Sequence, residues 1–424
     1  MTNTANRHLL TKKKVLFIAP QPFLTDRGSP FRVRSTVTSL AELGFNVDLL
    51  VFPIGSDVEL PGVSIKRSAN LFGVKHIPIG PSWQKVILDS ALFASAINLV
   101  KKNDYDAIHA VEEAGAVACL ISKLKGIPFV FDMHSSMSEQ LSLDKSLLRR
   151  AIAPLFAALE RQCIRRASGV ITVSDKLTQY SRKISAEVTA QTLNDLPLAE
   201  AASPSADAVL SLKNELGSSD KRLILYTGNF KEYQGIELLL DAYAVLCKNA
   251  PHLNTVLVLT GGGKEEQHTV TKLKAQAQSL GIIDNLIFSG QRPGEQMGVF
   301  MQAADILISP RLCGDNTPLK IYSYMKAKKP IVATRISSHT QVLDDSCAFL
   351  AEPNDIDLAQ ALITALTEDE ELNQLRNSRI SEAYRKVTED YGTGQFLLKL
   401  NKIYQFCGSQ ITDFEPKLEG VVNS

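Results

Sequence analysis

The 424-residue sequence contains no Cys-x-x-Cys pair, and no histidine stands at metal-ligand spacing from its six cysteines, Cys119, Cys163, Cys247, Cys313, Cys347 and Cys407. This argues against a zinc site, and the mostly apolar neighbours of the cysteines fit buried thiols in a reducing compartment. Net charge is nearly absent at +1, so nothing global marks a nucleic-acid binder and any electrostatic preference must be local. The apolar run "VLFIAP", after the polar and then basic start "MTNTANRHLLTKKK", is too short for a signal-peptide core or a membrane span. The expected location is the cytoplasm, with contact at a membrane surface left open. Neither strand-loop-helix start offers Gly-x-Gly-x-x-Gly with an acidic residue at the end of the next strand, which disfavours an NAD enzyme. The chain also lacks internal repeats and low-complexity tracts.

What is present reads as two α/β domains. The composition, 45% hydrophobic and 21% charged, is that of a soluble globular protein too long for one ordinary core. In the N-terminal half the apolar runs "KVLFIAP", "NVDLLVFP", "DAIHAV", "IPFVFDMHS" and "GVITVS" read as strands. Between them lie helical patterns at Phe31–Leu43 (ended by Gly44), Trp83–Lys101, "EEAGAVACLISKLKG" and about Lys145–Ala167. Such runs, separated by helices, mean a parallel sheet covered on both faces. "NDLPLAEAASPSADAV" is loop-like and places a linker over 196–215. The alternation then restarts with "RLILYTG", "NTVLVLTGGG", "NLIFSG", "DILISP", "PIVAT" and "AFLAEP", separated by helices over 235–249, 264–280, 294–303 and 318–327, and Asp355 to Phe406 reads as helical throughout. The expected architecture is two Rossmann-like domains, 1–195 and 216–385, whose parallel sheets face a central cleft, followed by C-terminal helices and a tail over 386–424.

Ligands of open α/β sheets bind beyond the carboxyl ends of strands, where glycines admit phosphate and helix N-termini attract it. Three stretches meet that requirement: "PQPFLTDRGSPFRV", in which Gly28 and Ser29 precede Pro30, and the later "TGNFKEYQG" and "TGGGKEE". Glycines of this kind also serve ordinary tight turns; three in the expected register carry more weight than one.

The order of "YTGNFKEYQGIELLLDAY", "LVLTGGGKEE", "NLIFSGQRPGEQMGVFMQAADILISPR" and "TPLKIYSYMKAKKPIVAT" resembles glycosyltransferase family 4, from about Lys14 to about Tyr404. The resemblance implies the GT-B fold, retaining transfer from a nucleotide diphosphate sugar, an acceptor-binding N-terminal domain and a donor-binding C-terminal domain. It implies no cofactor besides the donor substrate, and no metal. It assigns catalytic roles to His134 and Asp315. Donor contacts fall on Gly228, Asn229, Tyr233, Gln234, Gly262, Gly290, Gln291, Arg311, Asn316, Thr317, Pro318, Leu319, Lys320 and Ser323, and acceptor contacts on Arg27, Gly28, Ser29 and Glu112. Nucleotide base recognition is expected on the backbone around Ser289 to Arg292.

The chain departs from the family pattern at the donor site. Where relatives carry an arginine and a lysine beside these glycines, Asn229 and Gln234 stand; the paired glutamates fall on Asp315 and Ser323, and a glycine on Lys328. Two readings follow. Either the phosphate-binding charge has moved to Arg311 and Lys320 in "PRLCGDNTPLK", or the donor site has decayed and the protein is a non-catalytic partner. The first is preferred because arginine, lysine and a helix start converge on one loop; plain surface solvation of the two cations is the bland alternative.

His134 ends a central strand and is expected near the transferred sugar, with Asp132 as its partner or simply the strand's polar end. His109, Glu112 and Glu113 end the strand before it, and there the acidic pair either complements a helix start or binds acceptor hydroxyls. Asp26 and Arg27 carry the same two readings. Residues 145–167 interleave leucines and isoleucines with five arginines: a core helix with solvated arginines, kinked at Pro154, or a face drawn to anionic lipid on the inner side of a membrane. The sequence thus reads as a glycosyltransferase acting on a glycan or lipid-linked acceptor, with a non-catalytic GT-B subunit or a sugar-nucleotide epimerase of the same fold as alternatives, and no nucleic-acid partner.

Overall fold

The structure, a computed structural model, describes residues 12–23, 28–55, 58–70, 73–74, 83–142, 146–197 and 204–407. It divides into two units, one formed by residues 1–194 with 394–424 and the other by 195–393.

The N-terminal unit runs β1 (Lys14–Ala19), α1 (Gly28–Glu42), β2 (Asn46–Val51), β3 (Val63–Arg67), α2 (Trp83–Lys102), β4 (Ala107–Val111), α3 (Ala114–Lys125), β5 (Phe129–Met133), α4 (Met137–Ser142), α5 (Leu147–Arg166), β6 (Gly169–Thr172), α6 (Asp175–Ile184) and β7 (Ala190–Thr192). Its seven strands are all parallel, in the order β3-β2-β1-β4-β5-β6-β7. Strands β4, β5 and β6 are buried along their whole length, and β1 and β2 past their first residues, because helices cover both faces, so alternation is replaced by unbroken apolar runs such as Val15 to Ala19.

The C-terminal unit runs α7 (Ala206–Glu215), β8 (Arg222–Gly228), α8 (Ile236–Asn249), β9 (Thr255–Gly261), α9 (Gln267–Ser279), β10 (Leu286–Gly290), α10 (Met297–Ala303), β11 (Ile306–Ser309), α11 (Leu319–Lys326), β12 (Ile331–Thr334), α12 (Ser337–Thr340), β13 (Phe349–Ala351), α13 (Asp355–Leu366) and α14 (Glu370–Glu389). Its six parallel strands repeat the doubly wound order, β10-β9-β8-β11-β12-β13. The last helix, α15 (Thr393–Ile403), and the turn at Tyr404–Cys407 return to the N-terminal unit, where Tyr404 is buried.

Several elements differ from the sequence reading. Strand β3 alternates half-buried and exposed residues at the sheet edge, so its short polar-rich segment lacks the run that marks the central strands. Part of the expected linker is helix α7, capped by Ser205 accepting from the Ala208 N–H at 3.2 Å and anchored by buried Leu212. The stretch read as helical from Asp355 to Phe406 is three helices, broken where Asp369 caps the N-terminus of α14 and again at residues 390–392. Helix α5, Leu147–Arg166, includes Pro154 within its span, as the sequence reading has it.

Candidate active site

In the C-terminal unit the strand order reverses between β8 and β11, which brings together the loops leaving those strands. The β8 loop turns at Gly228 (φ 137°) and Gly235 (φ 71°), backbone conformations that glycine adopts without strain. A Cβ on Gly235 would lie 2.0 Å from the Pro310 carbonyl oxygen, so the two loops are in backbone contact. Across the same contact the Leu312 N–H donates to the Tyr233 carbonyl at 2.9 Å. Below, the Tyr226 hydroxyl donates to the Asn229 carbonyl at 2.6 Å, the Thr227 N–H donates to the Tyr324 hydroxyl at 3.0 Å, and the Phe230 N–H donates to the Glu266 carboxylate at 3.0 Å. These bonds fix the loop's shape from its own side of the sheet.

Lys320, in the first turn of α11, sends its ammonium into this loop. Its Nζ donates to Gln234 Oε1 at 3.4 Å, lies 3.9 Å from the Tyr226 ring centre, and is 3.3 Å from where a Cβ of Gly228 would stand. Burial first, and the Arg311 charge second, hold its pKa well below the usual lysine value. The half-buried cation is lodged among a ring, an amide and a glycine, a setting that favours an incoming anion. Gln234, 7% exposed, occupies the position where the resemblance has a lysine. The amine beside it comes from α11, as Lys320.

Arg311 is placed differently. Its Nε donates to the Cys313 carbonyl at 2.8 Å and Nη1 to the Asn316 carbonyl at 3.0 Å, while the guanidinium carbon stacks 5.2 Å from the Tyr233 ring centre. Arg311 therefore braces its own loop. Asp315 is exposed on that loop, and Asn316, Thr317, Pro318 and Leu319 lead half-buried into α11. Ser323 is buried, and its Oγ has no hydrogen-bond partner among the described residues, so the serine in place of a glutamate leaves a lone hydroxyl there. Asn229 is exposed, its side chain accepting from the Lys231 N–H at 3.3 Å. Gly262 is buried against the Phe230 ring at the end of β9, next to the β8 loop. Gly290 and Gln291 stand two strands from β8, at the sheet edge. Arg292 beside them is engaged by the Ser289 carbonyl at 3.0 Å and Glu215 at 2.7 Å.

A residue that the sequence reading did not select, His339, supports this loop from behind. Fully buried, its Nε2 bonds Ser309 Oγ at 3.0 Å and its Nδ1 bonds the Thr334 carbonyl at 2.8 Å, while Thr334 Oγ1 bonds the Arg311 carbonyl. Burial is the largest cause lowering its pKa to about 4, with the Lys320 and Arg311 charges adding to it. Below the free histidine value of about 6.5 the unfolded chain takes up a proton that the folded chain refuses, so stability falls with pH through that window. Acid unfolding curves between pH 7 and 4 should show a loss of about 2–3 kcal/mol, which His339→Gln should flatten.

In the N-terminal unit the strand order reverses between β1 and β4, and polar side chains collect at the ends of β4 and β5. Asp132, 1% exposed, faces three side-chain nitrogens: His109 Nε2 at 3.2 Å, Arg32 Nη2 at 3.4 Å and His134 Nε2 at 3.4 Å. Burial alone would raise its carboxyl; Arg32, His134 and His109 outweigh burial and hold its pKa well below the usual range. Arg32 also donates from Nε to His134 Nε2 at 3.1 Å and from Nη1 to the Leu193 carbonyl at 2.7 Å. His109 bonds the Tyr404 hydroxyl through Nδ1 at 2.9 Å.

Glu112 stands beside this cluster in a left-handed conformation (φ 51°) rare for a non-glycine residue, and accepts from Ser135 Oγ at 3.1 Å. Burial raises its pKa, with His134 the largest opposing influence. Glu113 pairs with Lys85. The structure thus brings His134 and Glu112 together. Gly28 and Ser29 open α1, and Arg27 and Asp26 lie outside the described residues. Among the described residues no group of three or more His, Cys, Asp or Glu side chains could hold a metal ion.

Comparisons with known proteins agree with this geometry. The family model described as glycosyl transferases group 1 matches residues 211–386, and the glycosyl transferase 4-like domain matches residues 27–191. The chain is 24% identical over 348 residues to the phosphatidyl-myo-inositol mannosyltransferase of Mycobacterium leprae, covering 80% of this chain and 85% of that protein. It is 23% identical over 308 residues to the alpha-monoglucosyldiacylglycerol synthase of Streptococcus pneumoniae, covering 71% and 67%. Among solved structures, the sucrose-phosphate synthase of Thermosynechococcus elongatus superposes with a TM-score of 0.74 at 19% identity, covering 93% of this chain and 99% of that one. Anabaena HepE, solved with UDP and glucose, superposes with a TM-score of 0.71 at 18% identity, covering 93% and 100%. With separate models matching its two halves and both sheets in doubly wound order, the chain belongs to the family-4-like glycosyltransferases of the GT-B fold.

Proposed function

We propose that the chain transfers a sugar from a nucleoside diphosphate donor to a glycan or lipid-linked acceptor with retention of configuration. The observation that carries the donor assignment is Lys320: an ammonium in an anion-poor recess, pressed on the glycine turn at the switch point of the sheet. HepE, solved with UDP and with UDP-glucose, supports a nucleotide donor. On this reading Gly228, Tyr233, Gln234, Lys320 and the N–H groups opening α11 hold the diphosphate, Asp315 and His134 meet the sugar, and the leaving diphosphate takes the acceptor's proton. Catalysis is then positioning and stabilisation of departing charge, without a metal. Titration of the full chain with a panel of nucleoside diphosphate sugars tests this. Stabilisation by one of them is expected, and no binding by any would favour a non-catalytic subunit, the reading that unpartnered Ser323 supports.

For the acceptor, a groove of 850 Å³ among α4, α5 and α6 begins at Ser136, two residues past His134, and is lined by Ser138 and Tyr180, both bonded to Glu160, by Lys176, paired with Glu139, and by Arg150, over an alanine and proline floor. That chemistry suits a polyhydroxylated head. Helices α3 and α5 pack together and leave Leu124 (71% exposed) and Leu155 (69% exposed) uncovered, with Arg161, Arg165 and Arg166 exposed on α5. No helix among the described residues is long and apolar enough to cross a membrane. Leucines framed by arginines match an anionic lipid surface, each basic residue near it contributing about 1 kcal/mol. The relatives named phosphatidyl-myo-inositol mannosyltransferase and alpha-monoglucosyldiacylglycerol synthase, both named for lipids, point the same way. The protein should sediment with anionic vesicles, less so in high salt, and Leu124→Glu with Leu155→Glu should reduce binding about tenfold or more. Equal binding to neutral vesicles would count against it.

A further inference from the structure

Around Asp132 the direction of every hydrogen bond is dictated by two groups. A carboxylate can only accept, and a guanidinium can only donate. Asp132 Oδ2 therefore receives a proton-bearing Nε2 from His109 at 3.2 Å. His109, buried and held neutral by that burial, then has its lone pair on Nδ1, where the Tyr404 hydroxyl donates at 2.9 Å. On the other side, Arg32 Nη2 donates to Asp132 Oδ1 at 3.4 Å while Arg32 Nε points its N–H at His134 Nε2, 3.1 Å away. A protonated Nε2 would set two donors against each other, so Nε2 carries the lone pair and the ring proton sits on Nδ1. Asp132 Oδ2, at 3.4 Å from the same nitrogen, already takes the shorter bond from His109. Among the described residues, Arg32 from α1, Asp132 from β5, His109 from β4 and Glu112 just beyond β4 bear on His134.

We infer that Arg32 is a positioning residue that locks His134 in the Nδ1–H tautomer, so that this imidazole meets the transferred sugar as a hydrogen-bond donor and not as a base. Tyr404 donates to His109 and His109 to Asp132, while Arg32 donates both to Asp132 and to His134, so donors converge on the carboxylate from two sides; the Tyr404 end comes from the segment after α15, 295 residues from His109. The two histidines are opposite tautomers: His109 carries its proton on Nε2 and His134 on Nδ1. The role given to the sugar rests on the reading of His134 in the proposed function; the tautomer rests on geometry alone.

Histidine-labelled full-length protein distinguishes the two. Two-bond ¹H–¹⁵N correlation spectra at pH 7 resolve tautomers, and His109→Gln and His134→Gln assign two of the seven histidines. The expected result is a protonated Nδ1 for His134 and a protonated Nε2 for His109. A protonated Nε2 on His134 overturns the inference. Arg32→Met should release His134 to donate from Nε2 to Asp132, lowering kcat about tenfold with little change in KM for the donor sugar, and Arg32→Lys, still a donor-only cation, should restore part of it. If Arg32→Met fails to fold, the unmodified protein's spectrum still decides the tautomer. If His134→Ala keeps full turnover while the Nδ1 proton is present, the sugar contact fails and the tautomer stands.

Discussion

Lys320→Met should weaken binding of a nucleoside diphosphate sugar by about tenfold to a hundredfold, the loss expected for one charge-assisted hydrogen bond to phosphate. The same substitution should raise the melting temperature of the unliganded protein. The two signs follow from one cause. Burial, reinforced by Arg311, depresses the lysine's pKa, so the charged form is carried at a cost until an anion arrives. Methionine keeps the stem over Tyr226 and removes the cost. For a lysine with a lowered folded pKa, the unfolded chain binds the extra proton, so stability of the unliganded protein rises with pH toward the free lysine value of about 10.4. Saturating nucleotide sugar should abolish that rise, because the diphosphate supports the charged form. Arg311→Ala should act otherwise: with its guanidinium holding the Cys313 and Asn316 carbonyls, its loss loosens the loop and weakens binding indirectly. Calorimetric titration and melting of both variants would check this. If Lys320→Met binds as tightly as the parent, or melts lower without ligand, the recess is not a phosphate site.

The division between what was legible in the sequence and what was not follows the range of the interactions. Unbroken apolar runs and the glycines after β8 and β9 are local, and they carried both sheets and the position of the donor-side loops. Strand β3 escaped because an edge strand alternates and needs no apolar run. Helix α7 escaped because alanine, serine and aspartate read as loop until Leu212 is seen buried. At the site, Gln234 signalled a missing charge, and Lys320 was legible as a cation of the right loop; its approach to Gly228 is a tertiary fact. Arg311 looked equivalent to Lys320 by sequence, yet its fork folds back on carbonyls two and five residues away. Arg32 gave no local signal, since its partners Asp132 and His134 lie 100 and 102 residues on. Tyr404 and His339 were invisible for the same reason: each matters through a buried bond to a distant strand end.

Asp132→Ala should cost the N-terminal unit about 3–5 kcal/mol, the range for removing one partner of a buried ion pair. The carboxylate is 1% exposed and is the common acceptor for Arg32 and His109, with His134 Nε2 3.4 Å away. Without it the Arg32 guanidinium, 5% exposed, loses the buried carboxylate it pairs with while keeping the Leu193 carbonyl and the His134 nitrogen, and His109 loses the acceptor of its buried Nε2–H. Asp132→Asn should cost less, because an amide oxygen still accepts one of these bonds while its NH₂ opposes another. The pH dependence separates this from a plain cavity effect. A carboxylate whose folded pKa is depressed contributes stability above its unfolded value, about 3.9, and loses it as pH falls further. The parent should therefore lose N-terminal-unit stability below about pH 4, beneath the window in which His339 acts on the other unit, and Asp132→Ala should show no such further loss. Denaturant unfolding from pH 7 to 3, followed by a probe in each unit, would decide it. A loss under 1 kcal/mol at pH 7, or a parent-like acid limb in the variant, would mean that Arg32 and the two histidines are held by the packing around them and that Asp132 is not the hub of the cluster.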